Sequence, residues 1–542
     1  MQLKNIILIN ILLTFFEIKE IKSFKCGSKN LNITPGILDN EIKIKKRRIQ
    51  EEPETNKIKE EEEEEEEEFQ KLIIRYDYYL FNKSDEVDEY TKNKTRQLLE
   101  EVSALFYNLL SAKKFETHMS EESLKELIKS RCKINETSDN ILDKINKTGM
   151  TIFPVFKEFD ESEDGLMKGK YCLITRDLLP KGGVLYINKN INFTKANSYL
   201  YYKHILFHAI THILIFEPTL MDSLGLLKDN KVVSEGVRKL AELHFNCGDF
   251  FFNENFGVPL EEDGFHWDAR YMLGDYMISF DYYDKTISDM TFALFDDSGI
   301  YNVDFLYGKY FNYGKNKTCA FFKKKCIENG KPNFEEFCAV NNQPKCSLSR
   351  LNKGICKIHN HTENISSEYQ YFNDNHTGGI KAINYCPISE PDEQDYYFST
   401  NCKLSNMDPN SEYGEKFGTN SFCFISSLTS NNSQTYNEDN AICYEVECDN
   451  ITKSIIVIVN ETRINCSNEG VIISNPQGFK GNLSCPKYTD ICELQNNETC
   501  TDMFDCIYKN FSRNYTYDDF NFSHFLNFKF LFFSILFIII IQ

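Results

Sequence analysis

The chain lacks a basic face of the kind that binds nucleic acid. Its 542 residues carry a formal net charge of −20 at pH 7, and phosphate repels an acidic surface, which argues against a nucleic-acid partner. Nine of the negative charges sit in one run, Glu60 to Glu68, so the remainder is only moderately acidic. Close Cys pairs repeated at fixed intervals are also missing, which argues against a zinc-finger array although the chain has nineteen cysteines. The C-terminal "FLFFSILFIIII", Phe530 to Ile541, falls short of the ~20 apolar residues of a single-pass span and has no basic stop after it.

What is present points to a secreted glycoprotein. Fifteen of the cysteines lie between Cys319 and Cys506, among Asn-x-Ser/Thr triplets starting at Asn316, Asn375, Asn450, Asn482 and Asn497. Glycosylation acceptors beside many cysteines imply an oxidising, secretory compartment, with most of these cysteines in disulfides. The apolar run Ile6 to Phe16 has the length of a signal-peptide core, and removal is expected near Ser23. The C-terminal tail follows a polar stretch, Asn510 to Ser523, and a GPI-attachment signal is favoured over a membrane span. Lys45 to Arg48 and the glutamate run read as a solvated linker, or as a processing site ending a pro-segment that holds Cys26.

With 41% hydrophobic residues the chain can bury two or three cores. Folded structure is expected from about Leu72. "LIIRYDYYLF" has strand composition, and Leu98, Val102, Leu105, Phe106 and Leu109 recur at helical spacing. "YCLITRD" and "GGVLYINKNINF" read as strands, the second after a Pro-Lys-Gly-Gly turn. "YYKHILFHAITHILIF", Tyr201 to Phe216, is an apolar helix with a cap at Asn197 or Ser198 and a stop at Pro218. Its His208 and His212 are four residues apart, so both imidazoles can aim at one point. His204 lies one turn earlier and reads as a packing or surface residue.

A His-x-x-x-His pair alone is a weak metal signal, but the surrounding residues add to it. The segment resembles the zinc helix of the leishmanolysin family of secreted metallopeptidases, whose pattern is His-Glu-x-x-His-x-x-Gly-Phe; His208, Thr211, His212, Leu214 and Phe216 match. "GFHWDARYMLGDYMIS" is similar to the family's third-ligand segment, in His266, Trp267, Asp268, Arg270 and Met277, and Trp267 is the only tryptophan. "LFDDSGIYNVDF", "YGEKFGTNSFCF", "CYEVECDN" and "GNLSCPKYTDIC" resemble later parts in the same order.

The resemblance implies an α+β, metzincin-like catalytic domain followed by a cysteine-rich, disulfide-linked C-terminal domain. Expected boundaries are a signal peptide at 1–23, a pro-segment and acidic linker at 24–70, the catalytic domain at 71–318, the cysteine-rich domain at 319–509 and a spacer with hydrophobic tail at 510–542. It also implies one Zn2+ per chain on His208, His212 and His266 above a methionine turn at Met277. Protein or peptide ligands outside the cell and a membrane-attached cell-surface location follow from it.

Two departures matter. The family's glutamate after the first histidine is Ala209, and loss of general acid–base help typically costs about 100- to 10,000-fold. Glu217 stands about 12 Å further along the helix axis and is too far to replace it. The family's glycine is Ile215, so either the helix runs on to Glu217 or Ile215 is strained. Three functions remain open: an impaired or inactive surface metallopeptidase that keeps zinc, an active endopeptidase with an unconventional base, and a metal-free adhesion or coat glycoprotein.

Overall fold

A computed structural model describes residues 33–38 and 69–495, apart from 147–148, 160–164, 195–197, 304–310, 392–399, 406, 433–437 and 468–469. Both apolar ends, the glutamate run, Cys26, Cys500 and Cys506 lie outside the described residues.

The N-terminal part is a twisted sheet over a buried helix. Strands β1 (Gly36–Leu38), β2 (Ile74–Tyr76), β3 (Met150–Lys157), β4 (Met167–Thr175) and β5 (Pro180–Asn188) pair in the order β1-β4-β5-β3-β2. Only β4 runs antiparallel to a neighbouring long strand, β5; β1 then adds to its free edge in parallel, Gly36 opposite Leu173. "LIIRYDYYLF" gives the short β2 and then a helical turn at Tyr79–Asn82. Helix α1 (Glu89–Leu109) starts at an Asp88 cap that accepts the Thr91 N–H and buries its Leu98, Val102, Leu105, Phe106 and Leu109 stripe.

Helix α2 (Ser198–Leu214) crosses between α1 and the sheet, and every residue from His204 to Leu214 is buried. A helix apolar all round belongs in a core. Phe207 stacks on Phe106 of α1 at 4.4 Å between ring centroids. On the sheet side, a Cβ on Gly169 would come within 2.1 Å of the Ala209 carbonyl oxygen, and one on Gly183 within 2.3 Å of Ile213 Cγ2. Only glycine permits that approach. Gly182 and Gly183, expected in a turn, therefore lie inside β5, opposite Thr151 and Ile152.

The first apolar core runs from Ile33 to Ile388, and a second gathers residues from Phe422 to Cys492 around an antiparallel sheet. That sheet orders β9 (Thr462–Cys466), β8 (Ser454–Val459), β7 (Asn440–Asp449), β6 (Ser421–Ser426), β11 (Asn482–Ser484) and β10 (Ile472–Ser474) from edge to edge. All sixteen described cysteines pair, in eight disulfides. Six of the bridges lie wholly between Cys326 and Cys492. They close loops of 18 to 77 residues, worth roughly 3 to 4.5 kcal/mol each in the chain-entropy account. Cys346–Cys423 and Cys402–Cys443 cluster as a small core of their own, where β6 and β7 set Cys423 opposite Cys443. The architecture is thus α+β with a cysteine-rich C-terminal region, and the cross-links point to an oxidising compartment.

Candidate metal centre

The two helix histidines are held from behind by carbonyl oxygens. His208 Nδ1 lies 2.7 Å from the Tyr276 oxygen, and His212 Nδ1 lies 2.7 Å from the Phe216 oxygen. A carbonyl only accepts, so each Nδ1 carries the hydrogen and donates it. In the neutral rings both Nε2 atoms then present lone pairs, and these stand 3.0 Å apart. Two lone pairs at that distance repel unless a proton or a cation lies between them.

His266 completes the group. Its ring lies 5.4 Å from that of His208 and 5.0 Å from that of His212, and one nitrogen from each of the three histidines falls within 4.8 Å of the others. All three are buried. Three neutral imidazoles converging in a buried site suit Zn2+, so the donor set fits the ion that the sequence implies. Among the described residues no carboxylate joins this group. His204 is buried but does not join it either; burial, with Lys285 and Lys203 nearby, holds its imidazole well below the usual range, so it packs as a neutral side chain.

His266 arrives on a tight hairpin. Leu260 bridges Trp267, the Gly264 N–H donates to the Glu261 carbonyl, and Gly264 takes the positive φ of 72° that closes the turn. Beneath the histidines, Met277 is fully buried; its N–H donates to Asp275 Oδ1 and its carbonyl accepts the Trp267 N–H. Asp275 Oδ2 accepts the Ser288 N–H and the Thr291 hydroxyl, whose oxygen accepts Trp267 Nε1–H. Burial pushes the Asp275 carboxyl up to about 6 even so. The neighbouring Tyr276 supplies the carbonyl that orients His208, and its hydroxyl meets Thr211 Oγ1 at 3.1 Å. Asp275 and Tyr276 carry this support, and neither is marked by the sequence pattern that picks out Met277. An acidic residue two before the methionine was the available signal.

The helix exit resolves the question raised by Ile215. Helix α2 ends at Leu214, and the Thr211 carbonyl accepts both the Ile215 and Phe216 N–H groups. The Glu217 N–H then bonds back to the Ile215 carbonyl at 2.7 Å. Ile215 is not among the residues with positive φ. The chain leaves through a widened last turn, so neither expected outcome occurs: the helix does not continue to Glu217, and Ile215 has no left-handed strain. Pro218 is the first residue of helix α3 (Pro218–Ser223) and not a stop for α2, since its missing N–H is harmless there. Glu217 caps α3, accepting the Leu220 N–H at 2.9 Å, and its other oxygen lies 3.7 Å from Lys170 Nζ.

Residue 209, next to His208, is a buried alanine that offers only a methyl group. Of the two expected caps, Asn197 lies outside the described residues and Ser198 is the first residue of the helix.

A buried helix carrying two histidines, a hairpin bringing a third and a buried methionine turn bonded to that hairpin define a metallopeptidase type of scaffold. The family model for leishmanolysin matches residues 145–499, more than half of the chain, and the chain belongs to the leishmanolysin family of metallopeptidases. It is 25% identical over 340 residues to a leishmanolysin homolog of Crithidia fasciculata, covering 56% of this chain and 50% of that protein. It is 29% identical over 222 residues to the leishmanolysin of Leishmania donovani, covering 38% and 36%. It is 24% identical over 314 residues to the leishmanolysin-like peptidase of Drosophila melanogaster, covering 49% and 45%. The chain thus spans half or less of the length of these three relatives. A metal ion belongs to the chemistry of such a family.

Proposed function

We propose that the protein is a zinc-holding leishmanolysin-family member of the cell surface that binds peptides and has lost most or all peptidase activity. The observation that carries this reading is the pair of Nε2 lone pairs 3.0 Å apart beside His266, next to a residue 209 that is alanine. When bound, zinc supplies a Lewis acid that polarises a peptide carbonyl and acidifies water. His208, His212 and His266 would hold it, one ion per chain. The Tyr276 and Phe216 carbonyls fix which nitrogen each helix histidine presents. Proton transfer has no residue at the position that follows His208. Ala209 cannot take a proton, and Glu217 is committed to the α3 cap and Lys170. The disulfides and the apolar tail support a secreted, membrane-attached protein that meets its ligand outside the cell.

The test is metal analysis of protein purified without chelators, combined with digestion of casein. About one zinc per chain with no turnover supports the proposal. Zinc-free protein would leave the coat or adhesion role, and turnover abolished by a chelator would establish an active peptidase with another base.

A further inference from the structure

Two of the three histidines owe their orientation to a carbonyl oxygen on Nδ1; the third faces a carboxylate. Asp263 Oδ1 lies 3.9 Å from His266 Nδ1, and ligand atoms of Glu261, Asp263 and His266 fall within 4.8 Å of one another. The hairpin that delivers His266 also fixes this carboxylate. Asp263 Oδ1 accepts the Phe265 N–H at 2.9 Å, within the turn that Gly264 closes. Glu261 is tied to the methionine-turn segment by the Ser279 hydroxyl, which donates to its Oε1 at 2.6 Å. His266 is buried, whereas Asp263 is partly exposed at the mouth of the turn.

We propose that Asp263 is the positioning residue for His266, its carboxylate taking the Nδ1–H so that Nε2 is left to face the ion shared with His208 and His212. The inference rests on the reading of the three histidines as a zinc site. A separation of 3.9 Å exceeds a direct hydrogen bond, and we take the link between carboxylate and Nδ1–H to run through a water. The chemistry differs from that of the two carbonyls: a carboxylate fixes the tautomer and also makes the imidazole a stronger donor. Such partners typically contribute 10- to 100-fold in metal affinity. Since residue 209 brings no anion to the site, Asp263, with Glu261 beside it, supplies negative charge behind a ligand.

The experiment measures zinc affinity of the full secreted chain by competition with a chromogenic chelator, and records the visible spectrum of the Co2+-loaded protein. Asp263→Ala should weaken zinc by about 10- to 100-fold. Asp263→Asn, of the same shape and still able to accept the Phe265 N–H, should weaken it by about tenfold, with a changed Co2+ absorption band. Glu262→Gln removes one charge from the exposed middle of the same turn and should stay within about twofold, separating contact from net charge. Should Asp263→Ala fail to fold, Asp263→Asn decides. A folded Asp263→Asn with unchanged affinity and spectrum overturns the inference, as does an equal loss in Glu262→Gln. Wild-type protein that takes up no zinc overturns this inference and the proposed function together, whereas tight zinc in wild type and in both Asp263 variants overturns this inference alone.

Discussion

Ala209→Glu is expected to create peptidase activity in the zinc-loaded protein. General acid–base help contributes about 100- to 10,000-fold, which is about 2.7 to 5.4 kcal/mol of barrier at 1.36 kcal/mol per decade. Against it stand two costs. In the helix interior, glutamate is less favourable than alanine by a few tenths of a kcal/mol. The larger cost is burial: residue 209 is 1% exposed, and an unpaired carboxylate there costs several kcal/mol unless a cation offsets it. The helix cannot retreat, because β4 runs against it so closely that a Cβ on Gly169 would reach 2.1 Å from the Ala209 oxygen. The new carboxylate cannot be relieved by a shift of the helix toward β4, and its stability should depend on metal. Metal-free Ala209→Glu should melt several degrees below metal-free wild type, and zinc should restore most of the difference. Cleavage of casein, measured with and without a chelator, reads the gain. Zinc bound at one per chain, an intact fold and no cleavage would refute the reasoning, and the cleft would then serve binding alone.

Other substitutions separate the elements of the site. Ile215→Gly should not raise activity in either background, since Ile215 has no positive φ to relieve; it should instead cost about 2 to 5 kcal/mol through loss of a fully buried side chain, read as a lower melting midpoint. Asp275→Asn tests the support beneath Met277 through pH. The folded wild type protonates Asp275 as pH falls through about 6, while the unfolded chain waits until about 3.8, so this group's contribution to stability grows as pH falls between those values. Metal-free wild type should therefore gain on the variant in melting temperature between pH 7 and pH 4.5, and the opposite trend would contradict the assignment. Alkylation without reduction, followed by mass spectrometry, should leave all sixteen cysteines between Cys132 and Cys492 unlabelled; labelling of more than a few would argue against the secreted reading.

The helix histidines were legible because spacing and an apolar surround are local signals. His266 was not accessible that way: it stands 54 positions after His212, and only resemblance to a family joined the two segments. Other elements were misread for physical reasons that a sequence does not display. Gly182 and Gly183 resemble a turn, but the missing side chain of Gly183 serves the approach of Ile213 from another element, and that of Gly182 makes room for Leu173 of the paired strand. Pro218 resembles a terminator, yet the same missing N–H suits the first turn of a new helix, and Glu217 before it becomes a cap. Gly36–Leu38 adds a strand through pairing with residues about 137 positions away, and long-range pairing leaves no local periodicity.

Alanine at residue 209 beside three converging histidines invites the idea of a decaying site, but the geometry argues otherwise. The groups that orient the histidines are also parts of the core. The Tyr276 carbonyl belongs to the turn that Asp275 fixes, the Phe216 carbonyl to the helix exit, and Trp267 links both to Thr291. Loss of any of them leaves buried donors unsatisfied, at about 1 to 3 kcal/mol each, so the scaffold persists whether or not peptides are cut. That scaffold in turn holds two lone pairs 3.0 Å apart, a repulsion that a bound cation converts into attraction. A ligand that binds only the folded state stabilises it by RT ln(1 + [L]/Kd), about 4 kcal/mol at a thousandfold excess over Kd. On the proposed reading, zinc therefore retains a role in stability that requires no glutamate at residue 209, and the melting midpoint of the wild-type chain should rise with free zinc although its peptidase activity does not.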